Sequence, residues 1–379
     1  MTQRFQNLTQ AEYPALALSA LNFADAHARQ SLTKSSQGHL LHACESLLRG
    51  PRSDYFGNQN YFLEGLRTHT RQPYAEGQSF VTYSASIALD AIAKYLVGRP
   101  GRIGMITPTF DSVPALFRRS GLSLTAVPES IVLPWCDLAA VELMTLSTLI
   151  LVTPNNPSGA RLPEAGLREL LGWAARRQVL LVLDLSFRLL EETALNFDVI
   201  GAAEEAGASV LTVDDTGKTL PLLDTKLGVL SATSDVAADL GHICSDILLN
   251  VAELDLRLLG TLLAETDEVA RARALIAMNR AALTGALTNG LPSGSDTGHP
   301  RSSVAWVRVG ASRDHIVSEC RKRSMYVLPG NDFFWDAVQG ENPDEAAIRL
   351  PLLRDQDYFG RGIDVLLDVL SEALATSAD

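Results

Sequence analysis

Basic residues are in short supply in this chain. Thirty-two Lys and Arg stand against 44 Asp and Glu in 379 residues, a formal net charge of −12, which argues against a nucleic-acid partner or an anionic membrane surface. Cysteine is rarer still. Cys44, Cys136, Cys244 and Cys320 are scattered with no pair at metal-ligand spacing, so no metal site is expected and reduced thiols in a cytoplasmic protein are. No uncharged apolar run is long enough to span a bilayer. The opening residues Met1-Thr2-Gln3-Arg4-Phe5-Gln6 lack the apolar core of a signal peptide. A Gly-rich dinucleotide fingerprint and internal repeats are missing too. What remains is ordinary globular composition, 46% hydrophobic and 20% charged, in a chain long enough for two packed domains.

Residues 1–30 read as an N-terminal arm, where Thr9-Gln10-Ala11-Glu12 has the capping-box pattern of a helix start. Residues 34–70 carry helical patterning interrupted at Gly50-Pro51 and at Gly57-Asn58. A strand-like run at 80–83 meets the small-residue turn Ser84-Ala85-Ser86. A helix over 87–97 follows, with Ile87, Leu89, Ile92 and Leu96 spaced to bury one face. Strands are expected at 104–107, 122–127, 149–153, 179–183 and 209–213, and a helix at 163–177 with its proline in the first turn. Alternation of this kind predicts an α/β chain with a doubly wound, mostly parallel sheet, whose ligands bind beyond the carboxyl ends of the strands. After Gly228 the pattern becomes long and helical over roughly 237–287, then breaks at Asn289-Gly290-Leu291-Pro292-Ser293-Gly294. Strands at 303–309, 325–328 and 347–350 complete the chain. The expected organisation is an arm with the first helices over 1–45, a large domain over 46–270 and a smaller C-terminal α+β domain over 271–379.

Three elements stand in order at the ends of predicted strands. Pro154-Asn155-Asn156-Pro157-Ser158-Gly159 follows the first. Asp184 follows the run Val179-Leu180-Leu181-Val182-Leu183. Asp215-Thr216-Gly217-Lys218 ends the third, with Lys226 eight positions beyond. The Asn-Asn-Pro-x-Gly segment alone would be only a turn. Together the three resemble the pyridoxal-phosphate (PLP) enzymes of the aspartate-aminotransferase type, fold type I. The resemblance implies that Lys218 forms the Schiff base with the cofactor and that Asp184 keeps the pyridine nitrogen protonated. Asn156 would donate to the ring hydroxyl, and Phe110 in Pro108-Thr109-Phe110 would cover the ring face. Ser84, Ser86 and Lys226 would hold the phosphate, aided by the free amides and dipole of the helix that follows. Arg349, in Ile348-Arg349-Leu350, would take the substrate carboxylate through two parallel bonds. A homodimer is implied as well.

Two departures narrow the resemblance. Ordinary members carry Ser three positions before the lysine, where this chain has Asp215. A carboxylate beside a phosphate dianion is repelled, so Asp215 must turn elsewhere or meet a cation. Ordinary members also carry Tyr three positions after the pyridine Asp, where this chain has Phe187. Further blocks are Glu12-Tyr13, Asn22 to Gln30 with Ala24-Asp25-Ala26-His27-Ala28-Arg29, Asp184-Leu185-Ser186-Phe187-Arg188, Ser245-Asp246-Ile247-Leu248-Leu249 and Arg301-Ser302-Ser303-Val304. With these the chain is similar to the PLP-dependent L-arginine oxidases and hydroxylases of antibiotic and non-proteinogenic amino-acid biosynthesis, of the enduracididine and azomycin type. That similarity implies Glu12 and Asp215 on the substrate guanidinium, His27 as acid/base in the oxidative half, and Ser186 near the lysine. L-arginine and O2 would be the substrates and a 2-oxo acid, hydroxylated or not, the product. The segment 328–335 is expected to line the pocket. Rival readings are an ordinary aminotransferase acting on a basic amino acid, an arginine cyclase or lyase, and a ligand-sensing regulatory module. The arm is too short and the chain too acidic for a DNA-binding segment of the last kind.

Overall fold

The computed structural model describes residues 7–17, 19–50, 54–191, 196–222, 224–290, 302–309, 313–336 and 346–376. Two sheets organise them. The smaller contains β1 (Leu21–Phe23), β9 (Val304–Arg308), β10 (Met325–Pro329) and β11 (Ala347–Pro351). The larger contains β2 (Ser79–Thr82), β3 (Ile103–Thr107), β4 (Leu124–Pro128), β5 (Thr148–Val152), β6 (Leu180–Asp184), β7 (Val210–Asp215) and β8 (Gly228–Ala232). The larger sheet runs in the order β2-β8-β7-β6-β5-β3-β4. Its β3–β7 pairings are parallel, and β8 is antiparallel to both neighbours.

Alternate residues of the central strands serve two cores. Leu149, Leu151, Leu181 and Leu183 pack with the helices Glu164–Arg177 and Val199–Ala206. Ile150, Val182, Leu211 and Val213 pack on the opposite face with Ala85–Leu96 and Ser234–Ile247. A sheet buried on both faces needs apolar residues at every position, which is why these strands read as continuous apolar runs. The antiparallel β8 brings Gly228 opposite both Asp215 and Thr82. The ends of β2, β7, β6, β5 and β3 therefore share one edge of the sheet with the start of β8.

Several boundaries differ from expectation. The arm helix Leu8–Glu12 is capped by Asn7, whose side chain accepts from Gln10 N at 2.8 Å. Asp111 Oδ2 accepts from Leu8 N, also at 2.8 Å. With those amides satisfied, Thr9 is no cap and Glu12 is freed from the capping-box role. Gly57-Asn58 is no break, because Asp54 caps the helix Tyr55–Thr70 and places Gly57 in its first turn. The long helical stretch is three helices, Ser234–Ile247, Glu253–Glu265 and Glu268–Gly290. Before them lies β8, which was not expected, since a five-residue apolar run carries no distinguishing period. Arg301, of the Arg-Ser-Ser-Val block, and 291–294 of the expected break lie outside the described residues.

The smaller sheet runs β1-β10-β11-β9, with β1 parallel to β10 and the other pairs antiparallel. The arm thus supplies an edge strand to a sheet otherwise built from the last third of the chain. The segment after β1 is held by Arg354, a fully buried guanidinium. It donates to the carbonyls of Asn22 (3.0 Å), Asp25 and His27 (3.0 Å). Replacing Arg354 by Leu strands three carbonyls, each worth about 1–3 kcal/mol. The expected loss is about 3 kcal/mol or more in urea unfolding, against about 0.5 kcal/mol or less for Arg99→Leu at an exposed ion pair. Equal effects would contradict this account of the segment.

Candidate active site

A cavity of about 700 Å³ opens at the shared strand edge. Its wall contains Ser84, Ser86, Phe110, Asn156, Asp184, Ser186, Asp215, Lys218, Lys226, His27 and Glu12. Eleven of the twelve side chains expected from sequence therefore face one space. The twelfth, Arg349, lies beside it and touches Glu12.

Lys218 follows the turn that ends β7. Gly217 admits the turn because a Cβ there would lie 2.8 Å from Lys226 Cδ. Gly228 is needed for a similar reason, as its Cβ would lie 2.6 Å from the carbonyl carbon of Ser84. Two glycines thus let the lysine turn and the start of the helix Ala85–Leu96 close on one point. Ser84 caps that helix through Oγ, accepting from Ile87 N at 3.3 Å. Phe187 stands with its ring centroid 6.0 Å from Lys218 Nζ.

Lys218 Nζ lies 3.3 Å from His27 Nε2. His27 Nδ1 lies 2.5 Å from Asp25 Oδ1, which also accepts His27 N at 2.8 Å. Asp25 Oδ2 takes two bonds from Arg29, at 2.9 and 2.6 Å. Burial alone would raise the Asp25 carboxyl. The His27 bond, with the charges of His27, Arg354 and Lys218, instead holds it well below the usual carboxylate range. His27 is pulled below its ordinary value, first by the Lys218 charge and then by burial, with Asp25 opposing. A neutral imidazole whose Nδ1–H is given to Asp25 turns the lone pair of Nε2 toward the lysine. Asp25 has no role in the sequence reading; the Asp-x-His spacing was its only signal. The segment is also tied to the lysine turn by Ala28 N to Gly217 O (3.1 Å) and Gln30 Nε2 to Thr219 O (3.1 Å).

Asp184, at the end of β6, is buried. Ser186 donates to its Oδ1 from the backbone at 3.0 Å and from the hydroxyl at 2.5 Å. Burial pushes the carboxyl up to about 6, Ser186 opposing. Behind it, Arg188 donates to both oxygens of Asp214 at 3.0 and 2.8 Å, and Tyr74 joins at 3.1 Å. Adjacent residues of a strand face opposite ways. Of the Asp-Asp pair ending β7, only Asp215 therefore reaches the cavity.

Arg349 sits between Leu328 and Trp306 in the smaller sheet. One terminal nitrogen, Nη2, reaches Glu12 Oε1 at 3.4 Å and the Ala24 carbonyl, while Nε and Nη1 are buried without partners. Burial pushes Glu12 up to about 7, with Arg349 opposing, and lowers Arg349. The segment 328–335 does not line the cavity, contrary to expectation. Phe333 packs on Phe110 and Arg349, and Trp335 Nε1 donates to Ile106 O at 2.8 Å. Their indole and phenyl surfaces are spent on packing behind the wall.

These residues fit pyridoxal phosphate. The Asn156 side chain lines the cavity, where its amide can serve a ring hydroxyl. Asp184 is a buried carboxylate with no ion pair among the described residues, as a cationic ring nitrogen requires. The start of β8 closes on the helix start, and Lys226 on the lysine turn, with no room for a Cβ at Gly228 or Gly217. Among the described residues no group of three or more His, Cys, Asp or Glu could hold a metal ion. No helix there is long and apolar enough to cross a membrane.

Comparison with known proteins agrees with the geometry. Residues 7–343 match the family described as aminotransferase class I and II. A structure of MppP soaked with the product 2-ketoarginine is 29% identical, with a TM-score of 0.83, covering 92% of this chain and 99% of that one. N-succinyldiaminopimelate aminotransferase from Mycobacterium tuberculosis is 17% identical at a TM-score of 0.77, covering 96% of each chain. A PLP-bound putative aminotransferase from Clostridium difficile 630 is 12% identical at 0.78, covering 97% of this chain and 96% of that one. No curated protein matches the chain.

The Asp25–His27–Lys218 contacts predict opposite responses of the imidazole. In labelled protein followed by NMR, Asp25→Asn should lower the His27 titration midpoint and Lys218→Ala should raise it. Shifts of the same sign would show that His27 does not sense the two groups as described.

Proposed function

The chain belongs to the aminotransferase class I and II family, whose members bind pyridoxal phosphate, and on that premise we propose that it oxidises L-arginine, or a close cationic amino acid, with O2. The product is a 2-oxo acid, with or without hydroxylation at C4, formed in specialised metabolism. One observation carries this reading. The cavity wall contains two acidic side chains, Glu12 and Asp215, and beside Glu12 lies a buried guanidinium, Arg349, that keeps two nitrogens unpartnered. Such a site suits an amino acid whose side chain is a cation. The likeness to MppP supports it, because 2-ketoarginine is the 2-oxo acid of arginine.

Bound pyridoxal phosphate supplies an imine linkage and an electron sink. Lys218 holds it and moves the α-proton of the substrate. Asp184 would meet the ring nitrogen as a carboxylate, Asn156 would donate to the ring hydroxyl, and Phe110 would pack against the ring. Ser84, Ser86 and Lys226 would hold the phosphate at the start of the helix Ala85–Leu96. Arg349, with Nε and Nη1 left unpartnered, would take the substrate carboxylate and so orient the reacting carbon. Glu12 and Asp215 would pair with the cationic side chain of the substrate. Burial pushes the Glu12 carboxyl up to about 7, and a bound cation would draw it into the ionised form. His27 receives the proton from Lys218 on Nε2, with Asp25 holding the imidazolium. Ser186 fixes Asp184. Simple deamination balances as amino acid, O2 and water giving 2-oxo acid, ammonia and hydrogen peroxide.

The assembly we propose is a homodimer. A groove of about 480 Å³ includes Tyr55, Phe56, Phe80, Ile247, Leu248 and Leu249. Phe56 is 73% and Leu249 92% exposed, and apolar side chains grouped in this way call for cover. Leu249→Asp should shift sedimentation toward the monomer; unchanged sedimentation would remove this face from the interface.

The activity is tested with PLP-loaded protein and L-arginine in an oxygen electrode, with mass spectrometry of the products. Oxygen uptake with the mass of 2-ketoarginine or its hydroxylated form is expected, lost in Lys218→Ala. Turnover that needs a 2-oxo acid and consumes no O2 would make the chain an ordinary aminotransferase. Products formed anaerobically would make it a lyase.

A further inference from the structure

Asp215 is the side chain whose surroundings fit its expected role least simply. It is 5% exposed. Its Oδ1 accepts from Gly217 N at 2.6 Å and its Oδ2 from Ala85 N at 2.9 Å. No cation pairs with it among the described residues. Ala85 is the first residue of the helix over the cavity, so its N–H belongs to the group of amides that attracts an anion. The chain has therefore placed one of its own carboxylates on a donor that a phosphate at this helix end would use. Lys226, the nearby cation, has its stem against Gly217 and its Nζ only 3.5 Å from a backbone oxygen, Asp224 O.

We propose that Asp215 and the phosphate of the cofactor compete for the Ala85 N–H, so that loading pyridoxal phosphate displaces the carboxylate from the helix. One N–H cannot serve two anions at full strength, and a carboxylate left beside a phosphate is repelled by it. Displacement turns Asp215 into the cavity, where a cationic side chain can receive it. Cofactor loading and the substrate's charge requirement are then coupled through one residue. The cost is weaker cofactor binding than the same site would have with Ser at this position. The inference rests on the cofactor assignment, and on arginine not at all.

The test titrates cofactor-free protein with pyridoxal phosphate and, separately, with pyridoxal, which lacks the phosphate, in the absence of any amino acid. Imine absorbance gives both affinities for wild type, Asp215→Asn and Asp215→Ser. The readout is the ratio of the two affinities, since damage to the fold lowers both alike. The ratio should rise about tenfold in each variant. A ratio that is unchanged or falls overturns the competition and leaves Asp215 as a helix cap. Because no substrate is present, that failure is separate from failure of the arginine reading, which oxygen uptake decides.

Discussion

The site depends on a tie between the two sheets. The segment 22–30 leaves β1 in the smaller sheet and reaches the lysine turn at the end of β7 in the larger one. Three backbone carbonyls of that segment point at the buried Arg354, and two further bonds join it to Gly217 and Thr219. A loop buried between sheets must satisfy its backbone polar groups, and a guanidinium with five donors does so from one point. The result is that His27, with Asp25 behind it, stands 3.3 Å from Lys218 Nζ. Neither sheet alone could set that distance.

Burial sets the electrostatics around this tie. Asp184 and Glu12 are both carboxyls whose surroundings favour the neutral form. Asp25, buried as well, is held ionised by His27, Arg354 and Lys218. The difference lies in the neighbours. Asp25 is surrounded by cations of the chain itself. Asp184 and Glu12 are left short of positive charge on the side facing the cavity, so ligands that bring a cationic ring nitrogen or a cationic side chain relieve a cost already present.

The motif triplet was legible because its chemistry is tied to strand ends. Asn156, Asp184 and Lys218 each close a strand of a parallel sheet, and the polypeptide announces those ends with Pro, Gly and a change from apolar to polar residues. Glycines 217 and 228 were visible as residues, but their purpose was not. Each is needed because a distant side chain or backbone packs where a Cβ would be. The capping box at Thr9 was a local pattern overruled by Asn7 and by Asp111, a residue about a hundred positions away.

Sequence by itself determined the α/β class, because periodicity is a local property, and the resemblance of its strand-end motifs to a known family implied the cofactor and eleven side chains that face one cavity. Tertiary structure decided which groups meet. It set Asp25 behind His27, Arg354 under their backbone, Asp214 away from the cavity and Asp215 onto the amide of Ala85. Those pairings join residues up to 332 positions apart, and separations of that size leave no periodic trace in the chain. They follow from packing two sheets together and from satisfying the backbone carbonyls buried between them.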